Sequence, residues 1–127
     1  MRIPRLRADR GLNDQTSVDC HKELGDYSPS EQRAILVHRY FLGIERKREP
    51  SIADTIQSWE SRFAQAWRRK KALLDVRAQL KEIERHKYLM SEHAKRDIGW
   101  EEAAKDWIQT HASAWRQWWE SQPGSAP

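Results

Sequence analysis

Between Ser51 and Lys95 the chain runs for 45 residues without a proline or a glycine. No other feature constrains the fold as tightly. With both strong breakers absent, a helix can propagate through the whole stretch, and at 1.5 Å per residue it would form a rod of roughly 65 Å. The apolar positions agree. Ile52, Ile56, Trp59, Phe63 and Trp67 recur at spacings of three and four, as do Leu73, Val76, Leu80 and Ile83, with Met90 seven further on. Both halves read as coiled-coil-like seams whose register shifts across Arg68, Arg69, Lys70 and Lys71. The sequence therefore predicts one rod over 51–95, with the bend, if the rod is bent, at that basic run.

Shorter helices flank it. Ser28-Pro29-Ser30-Glu31 has the form of a capping box and predicts a helix over 30–47. Leu36, Val37, Tyr40, Phe41 and Ile44 form a wide apolar stripe, broadened by Ile35 and Leu42, so this helix is expected to be buried over much of its surface. Pro50 ends it, and Ser51 with Asp54 caps the rod. At the far end Gly99 can close the rod, while Glu101, Glu102 and Asp106 favour the N-terminus of a helix over 100–120. The class is all-α: a long central helix with two shorter helices folded back on it, a helical hairpin or three-helix arrangement. Residues 1–27 lack periodicity and read as a flexible N-terminal arm, 28–121 as a single all-helical domain, and 122–127 as a disordered tail. No internal repeat is strong enough to defend.

Composition narrows the classes further. Leu, Ile, Val and Phe make up only 22 of the 127 residues, a level that raises disorder. Seven Trp and a nearly balanced charge, 23 Lys and Arg against 19 Asp and Glu, argue instead for a small folded core. Cys20 is the single cysteine and has no internal disulfide partner. The basic start, Met1 to Arg7, is not followed by the apolar run of a signal peptide, and no segment has the apolar length of a membrane span. A cytoplasmic protein with no membrane span is expected.

Catalytic signatures are missing. There is no His-Glu-x-x-His, no glycine-rich phosphate loop and no Gly-x-Ser-x-Gly elbow. Cys20 and His21 adjoin in sequence, which does not bring a nucleophile and base together in space. His86 and His93 share a helix face but stand about 10.5 Å apart along it, too far for one metal. No enzyme, cofactor or metal is expected. Three clusters remain. Arg85, His86, Tyr88 and Glu92 form a polar cluster that is either a small-ligand site or a solvated helix end. Arg62, Arg68, Arg69, Lys70 and Lys71, next to Trp67, could hold a nucleic-acid backbone together with the N-terminal arginines, although consecutive residues 100° apart cannot share one stripe. Trp107, Trp115, Trp118 and Trp119 make an apolar face wider than one neighbouring helix covers, which is either an interface hot spot or the filling of a short core at the mouth of an α-hairpin. The expected function is a non-catalytic accessory or adaptor subunit that binds a larger protein, or forms a homo-oligomer, through the Trp-rich face. Nucleic-acid binding through the basic run is the alternative.

Overall fold

A computed structural model describes residues 22–127. Helix accounts for 81% of them, and no strand occurs among them. The α-helices are α1 (Pro29–Arg46), α2 (Ile52–Arg62), α3 (Ala64–Ala94), α4 (Trp100–Thr110) and α5 (Ala112–Glu120), with short 3-10 turns at Leu24–Asp26 and Pro123–Ser125. The longest is α3, at 31 residues. Most of the expected arm, residues 1–21, lies outside the described residues. Its last part is built into the fold: Tyr27 is buried and donates its hydroxyl to Glu60 at 2.6 Å. The expected tail likewise carries a 3-10 turn with Ser125 fully buried.

The rod is not continuous, and its break is not at 68–71. It falls at Phe63, whose φ of −129° and ψ of −26° leave the helical region. The predicted third helix breaks in the same way at His111, with φ −122° and ψ −21°. Neither residue is a breaker by propensity, so sequence gives no warning of either break. In each case the next residue is a buried alanine, Ala64 or Ala112, and the core, not the local chain, selects the kink.

The described residues fall into two compact units. One contains the described residues 22–27 and 32–65; the other contains 28–31 and 66–127. In the first, α1 packs on α2 through Ile35, Leu42, Ile56 and Trp59, all at most 4% exposed. His38 Nε2 lies 2.9 Å from Ser58 Oγ, and its ring meets Phe63 edge-on at 4.9 Å. Burial pushes the His38 pKa down, and the charge of Arg62 lowers it further. Ser51 Oγ accepts the Asp54 amide at 3.0 Å, as the capping pattern predicts.

In the second unit the C-terminal half of α3 packs on α4 and α5 around Ile83, Trp107 and Ala112. His86 Nε2 lies 2.7 Å from Asp106 Oδ2 and meets the His111 ring edge-on at 5.1 Å. A polar knot closes the same unit. The largely buried Lys71 Nζ lies 2.6 Å from both Asp75 and Glu120, Trp119 Nε1 donates to Asp75, and Glu120 accepts the Ser30 amide and hydroxyl. Burial alone would raise the Glu120 pKa, but the hydrogen bonds from Lys71 and Ser30 outweigh it and hold the carboxyl below its usual range. Ser28 Oγ accepts the Glu31 amide at 3.3 Å, as the capping pattern predicts, and the Glu31 carboxylate also holds Arg68 at 2.8 Å.

The two hairpins are copies of one module, a repeat that the linear sequence conceals. An offset of 48 residues pairs Ile35 with Ile83, His38 with His86, Tyr40 with Tyr88, Lys47 with Lys95, Arg48 with Arg96, Trp59 with Trp107, Ala64 with Ala112, and Trp67 with Trp115. Structure matches at the same offset. Both turns carry a lysine with positive φ, Lys47 at 57° and Lys95 at 56°, inside the same Schellman-type pair of hydrogen bonds: Lys47 to Ile44 and Arg48 to Gly43, Lys95 to Glu92 and Arg96 to Ser91. Ion pairs recur as well. Arg39 with Glu49 matches Lys87 with Asp97, and Arg48 with Asp54 matches Arg96 with Glu102. Both breaks repeat, with Phe63 N–H bonded to Trp59 O and His111 N–H to Trp107 O. The expectation of no repeat is overturned because the shared identities are scattered and become legible only once the equivalent turns and breaks align them.

Candidate functional site

Most residues of the sequence-predicted clusters are engaged within their own unit. Trp107 is core at 3% exposure, Trp115 packs against that core and stacks on Trp119 at 5.6 Å, and Trp119 is pinned to Asp75. Trp118 is 54% exposed. Trp107, Trp115 and Trp119 thus contribute to the packing of their own hairpin, where bulky rings lie beside small alanines. Of the basic run, Lys71 and Arg68 hold Glu120 and Glu31, and Arg62 reaches Ser58 and Glu45; Arg69 and Lys70 lie on the surface. In the polar cluster, Arg85 pairs with Glu82 and Tyr88 with Glu92 along their own helix, so only His86 reaches across to another one.

An exposed apolar stripe on α1 is one that sequence places in the core. On α1, Glu31, Ile35, His38 and Leu42 form the inward side, spaced by four, three and four. Leu36, Val37, Tyr40, Phe41 and Ile44 are 45%, 57%, 67%, 60% and 60% exposed. At 100° per residue these five centre roughly 160° away from the inward set, so they lie on its outer face. The expectation that this stripe is the buried one is thus reversed. A helix apolar on both sides contains two candidate faces, and only packing decides between them.

The second hairpin supplies an internal control. At the offset of 48, the five outer positions are Glu84, Arg85, Tyr88, Leu89 and Glu92. Three of the five are charged there, yet the hairpin buries Ile83, Trp107 and Ala112 where the first buries Ile35, Trp59 and Ala64, and keeps the same turn and break. Leu36, Val37 and Ile44 are therefore not demanded by the module's fold. The aligned identities are the sequence signal that could have separated the two faces.

Beside this stripe lies a hollow of about 530 Å³, walled by Leu36, Tyr40, Ile44 and Pro50, with Arg39, Arg48 and Glu49 at its rim. Gly43 opens it. A side chain there would press against Arg48 O and the Pro50 ring, each at 3.3 Å. The second unit has a groove of about 420 Å³, lined by Trp107, Trp115 and Trp118 with His86, His111, Glu82 and Arg85. Among the described residues no group of three or more His, Cys, Asp or Glu could hold a metal ion, and no helix is long and apolar enough to cross a membrane. Compared with protein-family models, with curated proteins and with solved structures, the chain matches none.

Proposed function

We propose that the chain is a non-catalytic helical adaptor that docks on another protein through the outer face of α1, in place of the Trp-rich face anticipated from sequence. One observation carries this reading: five large apolar side chains line up on a solvent-facing side of α1, at positions where the sister hairpin folds with three charges instead. Aligned exposed apolar residues on this scale are characteristic of interaction surfaces, and an amphipathic helix face is a common docking element. The long α3, with partners packed along its C-terminal half, serves as scaffold. A reducing, cytoplasmic setting suits the lone Cys20.

The test transplants the sister residues. A chain carrying Leu36→Glu, Val37→Arg and Ile44→Glu should keep its helicity and unfold within about 0.5 kcal/mol of the parent, as surface changes do. In an extract of the source cells the parent should run in a particle heavier than the chain alone, and the triple variant should run free. A variant that unfolds, or that stays in the larger particle, overturns the proposal.

A further inference from the structure

We infer that the exposed side of α3 is a docking surface in its own right, and that its occupant is a partner protein's helix with an apolar seam bordered by carboxylates. This surface is separate from the α1 face and does not depend on it. The seam read from sequence divides in the structure. Ile83 turns into the core of its unit, while Leu73, Val76 and Leu80 are 63%, 53% and 46% exposed. Spaced by three and four, these side chains form one line along a regular helix, with Arg69 at its start, and from Arg69 to Lys81 the stripe runs about 18 Å. Charge then selects the occupant. Lys70 and Arg77 stand seven apart beside the line, where the flanking residues of a two-helix coil choose a partner, and Lys81 follows one turn on. Arg69, Lys70, Arg77 and Lys81 are all exposed, and among the described residues none of their side chains has an ion pair or a hydrogen bond. The carboxylates of this stretch are engaged elsewhere: Asp75 holds Lys71 and accepts from Trp119, and Glu82 holds Arg85. Glu84 is exposed, one turn past Lys81. The stripe is therefore net positive. A parallel second copy would set Arg69 against Arg69 in the seam, and an antiparallel copy would bring the two lines of cations together. A phosphate backbone would answer the cations but leave three aliphatic side chains in water, whereas a helix with a leucine seam and flanking carboxylates covers both.

The full chain is titrated by fluorescence anisotropy with two synthetic helical peptides that share one leucine seam, bordered by Glu in one and Lys in the other, and with a duplex oligonucleotide. The Glu peptide should bind at least about tenfold tighter than the Lys peptide, and added salt should narrow the gap. Leu73→Ser with Leu80→Ser should weaken the Glu peptide about tenfold with an unchanged circular-dichroism melt, and Arg77→Glu with Lys81→Glu should erase the preference between peptides. Lys105→Glu with Arg116→Glu makes the same change of net charge at exposed positions of α4 and α5 and should leave the preference in place. Equal binding of both peptides, or a preference that the α4 and α5 substitutions erase as fully, would overturn the inference. Binding indifferent to the Leu73 and Leu80 substitutions but lost on changing Leu36, Val37 and Ile44 would assign the peptide to α1 and overturn it too. Tighter binding of the duplex, lost with Arg77→Glu and Lys81→Glu, would make the stripe a nucleic-acid surface, and the inference falls.

Discussion

The first and second hairpins share a skeleton and differ in what covers it. Both place a histidine between a polar residue and the aromatic ring at the helix break, yet His38 faces the Ser58 hydroxyl where His86 faces the Asp106 carboxylate. Because a carboxylate can only accept, the proton at that contact belongs to His86 Nε2; the Ser58 hydroxyl can serve in either role. The turns differ in a compensated way. Ser91 Oγ accepts the buried Ile98 amide at 2.9 Å, and in the first hairpin Gly43 needs no hydroxyl because Pro50 has no amide to satisfy. The outer face of the first helix is apolar in one copy and charged in the other. Positions that hold the module together vary in matched pairs, and positions that face water vary freely, so the unmatched apolar face stands out as something the fold itself does not explain.

Removing the shared anchors should produce the largest effect. Trp59→Ala and Trp107→Ala should each cost about 3–5 kcal/mol, since both side chains are at most 4% exposed. Amide hydrogen exchange should show protection falling first within the hairpin that carries the substitution; equal loss across both hairpins would break the picture of two units. An intermediate effect probes the compensated turns. Ser91→Ala should cost about 1–3 kcal/mol by leaving the Ile98 amide buried without an acceptor. Ile98→Pro, which copies the first hairpin, should then show favourable coupling with Ser91→Gly in a double-mutant cycle of denaturant melts, and strict additivity would refute the matched exchange.

The smallest effect separates the histidines' surroundings. Because the folded pKa of His38 lies below its ordinary 6.5, the unfolded chain binds the proton more readily. The stability this confers is fully present above 6.5 and is lost as pH falls through the folded value. The melting temperature should therefore decline on acidification in the parent and less so in His38→Gln. Ser58→Asp, which places the second hairpin's partner beside His38, should favour the imidazolium and shrink the same decline. A pH profile identical in all three proteins would remove the distinction.

Much of the local architecture was legible in the chain. Ser51 with Asp54 marked a helix start, Pro50 marked a turn, and periodic apolar residues marked helices throughout, because caps, breakers and spacing act over a few residues. Gly99, expected to close the rod, instead precedes α4 in an extended conformation, and Lys95 takes the left-handed position. Less of the site was legible. Phe63 and His111 carry no breaker signal, since the buried alanines that follow them impose the kinks. The candidate tryptophans read equally as core or interface in one dimension, and only the fold shows Trp107 buried, Trp115 packed against its core and Trp119 bonded to Asp75.

Sequence by itself determined that this protein is helical, where most of its helices start, and that no familiar catalytic motif is present, because those properties follow from local propensity and side-chain chemistry. Tertiary structure alone decided which of the two apolar sides of α1 turns inward, where the rod breaks, and that the chain repeats a single hairpin. Those outcomes depend on which surfaces meet across long stretches of chain. A helix that is apolar all round has no local preference between its faces; the neighbour that covers one of them makes the choice.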